Sequence, residues 1–173
     1  MKSIISTLVL ILFSTLIYAQ KMDNKNIEQR LAAIEDKMAI KYVVDEFSNL
    51  ADTKEIDKQV LLFTTDGVVE SISNGQPGSP LKGRDQLKQA FSGFLANFHT
   101  VYHQNGQQTI TLQGDKAEAT SYCRVILVGK QNDKEMKTTL YTIYKDSFVK
   151  KNGKWLIKHR TSNFVHREVA EVQ

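Results

Sequence analysis

The stretch VVDEFSNLADTKEIDKQVLLFTTDGVVE, residues 43–70, decides how the chain folds. Its first part has apolar side chains at helical spacing, which predicts an amphipathic helix with one buried stripe: Val43, Val44, Phe47, Leu50 and Ala51. A break follows at residues 51–53, then a short helix over residues 56–63 and a strand that begins after Gly67. Asp52 stands where the apolar stripe ends. We therefore expect its carboxylate at the rim of whatever the helix packs against.

A second role is open to Asp52. Its spacing to Glu55 is that of a capping box, in which the carboxylate would accept hydrogen bonds from the first turn of the following helix. Capping alone, and capping combined with a place at a pocket, both fit the sequence.

The composition is that of an ordinary globular domain. Hydrophobic residues make up 41% and charged residues 24% of the 173-residue chain, which fits one domain with a proper core. The formal net charge is +4, and the lysines are scattered among acidic residues without a basic stripe, so no nucleic-acid partner is predicted. Cys123 is the single cysteine. It cannot form an internal disulfide, and we expect it to be a small buried hydrophobe.

The N-terminus has the pattern of a secretory signal peptide over residues 1–19. Lys2 precedes an uninterrupted apolar run over residues 4–17, and Ala19 offers a small residue at the cleavage point. The run is too short for a comfortable transmembrane helix, so we predict cleavage, no stable membrane anchor afterwards, and a secreted or periplasmic location. An uncleaved anchor is the alternative. Residues 20–26 are polar and predicted as a linker.

A second apolar stripe precedes the first and follows a different phase. Its members step by four, three and four residues, as on a helix: Ile27, Leu31, Ile34 and Met38. Either the helix kinks near residues 35–37, or this segment presents another face to another partner. A plain continuous surface helix is the alternative. If the stripe around Leu31 and Ile34 is exposed, it would be a self-association surface.

The second half of the chain reads as β-structure. A loop over residues 73–83 and a helix over residues 84–96 lead into it. Strands are predicted over residues 101–112, 116–128, 136–149 and 155–165, with a polar tail over residues 166–173. Helices that precede a run of strands predict an α+β fold of two layers, with the N-terminal helices packed on a curved antiparallel sheet. Small side chains on one face of the second of these strands would leave a cavity between the sheet and the helices: Ala117, Ala119, Ser121 and Cys123.

His103 is the strongest candidate partner for Asp52. It lies early in the first long strand and can point inward at the level of Asp52, and an Asp–His pair in an apolar pocket is suited to proton transfer. A tyrosine nearby would polarise a carbonyl group by hydrogen bonding; the candidates are Tyr122, Tyr141 and Tyr144. A satisfied strand histidine is the alternative reading of His103. No third ligand accompanies His99 and His103, so no metal site is predicted.

At this point the chain resembles the SnoaL-like group of the nuclear transport factor 2-like superfamily, over residues 27–165. The motifs that match stand in order along the chain: Leu50-Ala51-Asp52, Asp66-Gly67, Gly83-Arg84-Asp85, Tyr102-His103-Gln104-Asn105, Gly114-Asp115-Lys116-Ala117 and Asn152-Gly153-Lys154-Trp155. The resemblance implies a cone-shaped α+β fold with a deep apolar pocket between sheet and helices. In the scytalone dehydratase pattern of this group, Asp52 and His103 fall on the aspartate and the first histidine.

The same pattern leaves other positions changed. Its second histidine falls near Ser121 or Cys123, its tyrosine falls on Ala51, and its pocket asparagine falls near Tyr144. The resemblance thus supplies an Asp–His pair and half of the expected catalytic set.

The predicted function is that of an exported, cofactor-free lyase, isomerase or cyclase that acts on a small hydrophobic carbonyl compound. His103 would be the general acid or base, Asp52 would orient it, and Tyr144 would donate to a substrate oxygen. The remaining predicted pocket residues are Phe47, Phe63, Val69, Phe91, Asn105, Ser121, Cys123, Tyr141, Trp155 and His159. The alternatives are a non-catalytic binder of a small apolar ligand and a dimeric interaction module; a homodimer is expected.

Overall fold

The protein is described here from a computed structural model that covers residues 2–172, and side chains from residue 22 onward with the exception of residue 23. The side chains of the predicted signal peptide, over residues 1–19, lie outside that described part. The chain divides into two compact units, Met1–Asp36 and Lys37–Gln173. None of the helices in the described part combines the length and apolar character that crossing a membrane requires.

The first unit is helical. Helix α1, Lys2–Asp52, includes residues 20–26, which the sequence had predicted as a linker. Four of the described apolar side chains in this unit are exposed to more than half of their full area: Met22, Ile27, Leu31 and Ile34.

The second unit contains the end of α1 and all other elements. After α1 the chain forms α2 (Ile56–Gln59), a 3₁₀ turn (Val60–Leu62), β1 (Phe63–Ser73), β2 (Gln76–Pro77), β3 (Leu81–Lys82), α3 (Arg84–Leu95), β4 (Thr100–Gln113), β5 (Lys116–Gln131), β6 (Lys134–Lys151) and β7 (Lys154–Glu171). The predicted loop over residues 73–83 holds the two short strands β2 and β3. Strand β7 continues to Glu171, so most of the predicted polar tail is paired strand.

The strands form one seven-stranded sheet in the order β2-β1-β7-β6-β5-β4, with β3 also on β1. The predicted α+β fold, with helices preceding a sheet, is confirmed. The sheet is mixed rather than wholly antiparallel, because β7 returns beside β1 in the same direction. The other pairings are antiparallel.

The core lies between the inner face of the sheet, the end of α1 and α3. The predicted helical stripe of α1 is buried, with Ile40 fully buried and Val44 and Phe47 nearly so. Burying a side chain of this size stabilises the fold by about 1.5–3 kcal/mol. Strand β5 alternates as its sequence predicts, with Ala117 inside and Glu118 outside.

A first β-bulge in β7 lies at Lys158. Ile157 pairs with Phe148 of β6, and His159 pairs with the residue that precedes Phe148, so Lys158 is an extra residue in the ladder. Because side chains alternate along a strand, one inserted residue exchanges the two faces. Arg160 is therefore the next residue on the buried face, and His159 is not.

A second bulge lies at Val165. Phe164 pairs with Thr142 of β6, and His166 pairs with the residue that precedes Thr142. Val165 is the extra residue and is exposed. The alternation shifts once more, so that the inner face continues with Arg167.

Candidate functional site

A cavity of about 280 Å³ lies inside the second unit, between the inner face of the sheet and helices α1 and α3. Its wall is mostly apolar, with Phe47 and Ala51 from α1 and Phe91 from α3. Its volume is near the lower end of the range for ligand pockets, which is about 300–1,000 Å³. The cavity therefore fits a small apolar molecule.

Asp52 and His103 are hydrogen-bonded to each other at the edge of this cavity. The His103 Nδ1 atom lies 2.6 Å from one oxygen of Asp52, and the His103 backbone N–H donates to the other oxygen at 3.1 Å. A carboxylate only accepts hydrogen bonds, so Nδ1 is the protonated nitrogen when the ring is neutral. His103 lines the cavity and Asp52 stands behind it. The remaining ring nitrogen, Nε2, is then free to accept a proton.

The position of Asp52 decides between its two predicted roles. It is the last residue of α1, and its oxygens are taken by His103. Helix α2 begins at Ile56 with Glu55 as its N-cap residue and has no side-chain cap bond. The capping box predicted from Asp52 and Glu55 is therefore wrong, because Glu55 itself is the N-cap residue and the Asp52 carboxylate binds His103 instead.

A buried ion pair stands at the cavity beside this dyad. Arg160 donates from Nε and Nη2 to the two oxygens of Asp146, both at 2.7 Å, and the two side chains have no exposed area. The central carbon of the guanidinium lies over two aromatic rings, 4.2 Å from the ring centre of Phe47 and 4.3 Å from that of Tyr144. Burial disfavours its charge, but the Asp146 carboxylate more than offsets this and keeps the pKa of Arg160 above its usual value.

The third nitrogen of this guanidinium, Nη1, is buried and has no hydrogen-bond partner among the described residues. A buried donor without a partner costs about 1–3 kcal/mol. Because Arg160 lines the cavity, a ligand oxygen placed there would remove that cost. Arg160 thus carries one buried donor that no described group satisfies.

Two further polar side chains line the cavity. Tyr144 is nearly fully buried, and burial raises the pKa of its hydroxyl, which therefore keeps its proton at neutral pH and can donate. Gln59 is also buried and donates from Nε2 to the backbone oxygen of Phe47 at 2.9 Å. Its Oε1 atom has no partner among the described groups and can accept from a ligand.

The structure brings five of the predicted site residues to the cavity wall: Phe47, Val69, Phe91, His103 and Tyr144. Asp52 joins them through its bonds to His103. Arg160, Asp146 and Gln59 were not among the predicted residues.

Seven predicted pocket residues lie away from the cavity wall, and three of these belong to the packed core. Phe63 lies behind Phe47, with ring centres 6.0 Å apart, and is fully buried. Trp155 is buried at the start of β7. Cys123 is also buried, and burial raises the pKa of its thiol to about 12.

The other four are engaged elsewhere. Ser121 accepts a hydrogen bond from Gln108 at 2.9 Å. Asn105 bonds the side chains of Ser48 and Asp45 on α1, at 3.1 and 3.0 Å. Tyr141 lies on the opposite strand parity to Tyr144, with its ring centre 5.5 Å from that of His166. His159 is half-exposed and lies 3.6 Å from a carboxylate oxygen of Glu70.

Among the described residues, no group of three or more histidine, cysteine, aspartate or glutamate side chains is placed to hold a metal ion. The chemistry that the site offers comes from His103, Arg160 and Tyr144. Together they combine a proton acceptor with two hydrogen-bond donors on one apolar wall.

Comparisons with known proteins agree with this architecture. A family model of the SnoaL-like domain matches residues 32–161. An uncharacterized protein of Mycobacterium tuberculosis is 26% identical over 133 residues, which cover 75% of this chain and 86% of that protein. A nuclear transport factor 2-like protein with a cystatin-like fold from Novosphingobium aromaticivorans superposes with a TM-score of 0.67 at 20% identity, over 82% of this chain and 89% of that chain. A hexachlorocyclohexane dehydrochlorinase superposes with a TM-score of 0.69 at 12% identity, over 83% and 93%.

Proposed function

The chain belongs to the SnoaL-like domain family, and from that membership we propose that it is a cofactor-independent lyase or isomerase of a small hydrophobic carbonyl compound. The observation that supports this most directly is the hydrogen bond of 2.6 Å between His103 and Asp52 at the wall of an apolar cavity. It leaves the His103 Nε2 lone pair for a substrate proton.

In the proposed reaction, His103 Nε2 removes a proton from the carbon next to the substrate carbonyl. The electron pair of the broken C–H bond moves toward the carbonyl, whose oxygen becomes negatively charged. In a lyase, the pair then forms a carbon–carbon double bond and expels a leaving group from the adjacent carbon. In an isomerase, His103 returns the proton to another carbon of the same conjugated system.

The negative oxygen of this intermediate needs donors placed before the reaction begins. Arg160 Nη1 is buried without a partner among the described groups, and the Tyr144 hydroxyl stays protonated. Donors fixed in a site that excludes water stabilise developing charge far more than solvent does, and loss of one typically lowers kcat by about 10²–10³-fold. Asp146 holds the guanidinium of Arg160 in place.

The comparisons support an elimination within this class. One protein of the same fold is a dehydrochlorinase, and the net loss of hydrogen chloride likewise takes a proton from carbon. At 12% identity the likeness shows a shared fold and no more. An elimination, and the leaving group that it would expel, are therefore part of our proposal for this chain.

The proposal can be tested without knowledge of the natural substrate. A panel of small aromatic and alicyclic ketones is incubated with the protein in deuterium oxide, and exchange of the hydrogens next to the carbonyl is followed by NMR. We expect exchange with part of the panel and a loss of about 10²–10⁴-fold on His103→Gln. The exposed His99 provides the matched control, His99→Gln, which should exchange at the rate of the unchanged protein.

Two outcomes would contradict catalysis. One is exchange that survives His103→Gln undiminished. The other is ketone binding without exchange across the whole panel, which is what a non-catalytic binder of small apolar ligands would show.

We also propose that the protein acts outside the cytoplasm as a homodimer. The support for export is the signal-peptide pattern over residues 1–19. The support for self-association is the row of exposed apolar side chains in the first unit, at Ile27, Leu31 and Ile34.

A further inference from the structure

A second cavity, of about 450 Å³, lies at the end of the sheet where β5 passes into β6 and where α3 ends. We call it the outer cavity, and we call the one beside His103 the inner cavity. The outer cavity has a different character, because its lining includes the cations Lys130 and Arg167 and the amides of Asn74, Asn97 and Gln131. Among the described residues that line it there is no carboxylate. Its charge therefore suits an anion.

The outer and inner cavities are consecutive compartments along the inner face of the sheet. They share four lining residues, Phe94, Leu127, Leu140 and Phe164, all apolar. A molecule that occupies both would pass these four side chains with its apolar part. Its two ends would contact different side chains. The inner end would lie beside Arg160 and His103, and the outer end beside Lys130 and Arg167.

Arg167 faces the outer cavity because of the second bulge of β7. Phe164 lies on the inner face. If Val165 were paired in a regular ladder instead of being bulged, the next inner position would belong to His166. With the bulge, Arg167 pairs with Leu140, whose side chain lines both cavities. Residues that face each other across a ladder share a face of the sheet, so the exposed Arg167 side chain leaves the strand on the same face as Leu140, at the outer cavity.

Arg167 has no hydrogen-bond or ion-pair partner among the described residues. The neighbouring carboxylate of Glu168 lies beside His166, 3.5 Å away. Arg160 differs in this respect, since its charge is already matched by Asp146. Arg167 is therefore the lining guanidinium whose charge remains open to an anionic ligand.

We propose that Arg167 is a specificity-determining residue that binds the carboxylate of an elongated apolar ligand, whose body extends through the inner cavity. The residues paired with Arg160 and Arg167 on β6 are about 20 Å apart, at ~3.4 Å per residue. Arg160 is held by Asp146, but the exposed Arg167 side chain can lean toward it, and a medium-length acyl chain or a chain with a ring then spans the gap. The inference rests on the proposed function in placing the reacting end at His103, but it concerns binding alone.

The test compares probes of equal chain length and different head group. Binding of dodecanoate, dodecanol and dodecylammonium to the full folded protein is measured by isothermal titration calorimetry, below the concentrations at which the probes form micelles. We expect the unchanged protein to prefer dodecanoate to dodecanol by about tenfold, the effect of one charge-assisted hydrogen bond at a partly exposed site. Arg167→Gln should abolish this preference, and Arg167→Glu should transfer it to dodecylammonium.

Two matched variants separate this inference from other effects. Arg124→Gln removes the same charge from the outer face of the sheet, where Arg124 is exposed, and should keep the preference for dodecanoate. His103→Gln should keep it as well, so that a failure of catalysis and a failure of carboxylate binding are distinguishable. The inference is overturned if the unchanged protein does not distinguish dodecanoate from dodecanol, or if the preference survives in both Arg167 variants.

Discussion

The Asp52 carboxylate accepts two hydrogen bonds from one residue, His103, through the ring nitrogen Nδ1 at 2.6 Å and the backbone N–H at 3.1 Å. The bond to Nδ1 fixes the tautomer of the ring. The bond to the backbone N–H fixes the position of His103 relative to Asp52. Replacement of Asp52 by Asn removes the negative acceptor but keeps the size of the side chain. We expect ¹⁵N NMR of His103 to show a mixture of the two neutral tautomers in Asp52→Asn, in place of protonation at Nδ1.

The same variant should lower the deuterium exchange of a ketone substrate by about 10²–10⁴-fold, because the lone pair of Nε2 is no longer held toward the cavity. The control is Asp45→Asn, at a carboxylate bonded to Lys41 and Asn105 away from the cavity wall. Unchanged exchange in Asp52→Asn would remove Asp52 from the proposed mechanism.

The ion pair of Arg160 and Asp146 should be costly to break from one side. Asp146→Ala leaves a fully buried guanidinium without its counter-ion, which typically destabilises a protein by about 3–5 kcal/mol. Urea denaturation measures the loss. The double variant Asp146→Leu with Arg160→Met removes both charges, and we expect it to be more stable than Asp146→Ala. If both variants lost the same stability, the cost would come from packing and not from the uncompensated charge.

The buried thiol of Cys123 should make the protein less stable at alkaline pH. Burial raises the pKa of Cys123 from 9.0 to about 12, so between these values the folded chain holds a proton that the unfolded chain has lost. The contribution to stability is complete below the unfolded pKa and is lost as pH rises through this window. Cys123→Ala should show a smaller decline of the free energy of unfolding between pH ~8 and pH ~11. An equal decline in both proteins would contradict the prediction.

Self-association through the first unit should be sensitive to charge at its exposed apolar row. In sedimentation velocity, we expect the chain from residue 20 onward to form dimers, and we expect Leu31→Lys combined with Ile34→Lys to shift it to monomers. Gln29→Lys adds a cation to the same segment outside the row and should leave the dimer intact. A monomer at high concentration, or a dimer unaffected by the double variant, would remove this surface from consideration.

Export should be visible as processing of the N-terminus. When the full chain is expressed in a bacterial host with a periplasm, we expect the periplasmic fraction to contain a product that begins near Gln20, as determined by mass spectrometry of the intact protein. A charged residue within the apolar run, as in Leu10→Arg, should retain the unprocessed chain in the cytoplasm. Unprocessed protein in the cytoplasm in both cases would contradict the signal peptide.

The helices and the central strands followed from the sequence because burial of one face imposes a period. The stripe that contains Val43 and Phe47 has the helical period, and β5 alternates from Ala117 onward; both patterns appear in the structure as predicted. The pairing of β1 with β7 is different in kind. It joins two segments that are far apart in the sequence, in parallel. The spacing of apolar residues within a strand does not indicate which other strand will pair with it.

Only part of the site could be predicted from the sequence. Asp52 and His103 stand at positions that the family resemblance and the end of a helical stripe both indicated. Arg160 was missed because counting alternate residues from Trp155 leads to His159, and the bulge at Lys158 that breaks the count has no turn residue to mark it. A signal did exist on β6, where Asp146 shares the buried parity of Tyr144. A carboxylate on a buried face requires a buried cation, and that requirement indicated an arginine on a neighbouring strand.

The bulge at Val165 makes the outer cavity tolerant of one change in the length of β7. Because Val165 has no ladder partner on β6, its deletion would leave His166 opposite Tyr141 and Arg167 opposite Leu140, as they are now. The guanidinium would stay on the cavity side, in a ladder that had become regular. A single-codon deletion at this position is therefore a change that the scaffold can accept during evolution without exchanging one class of ligand for another.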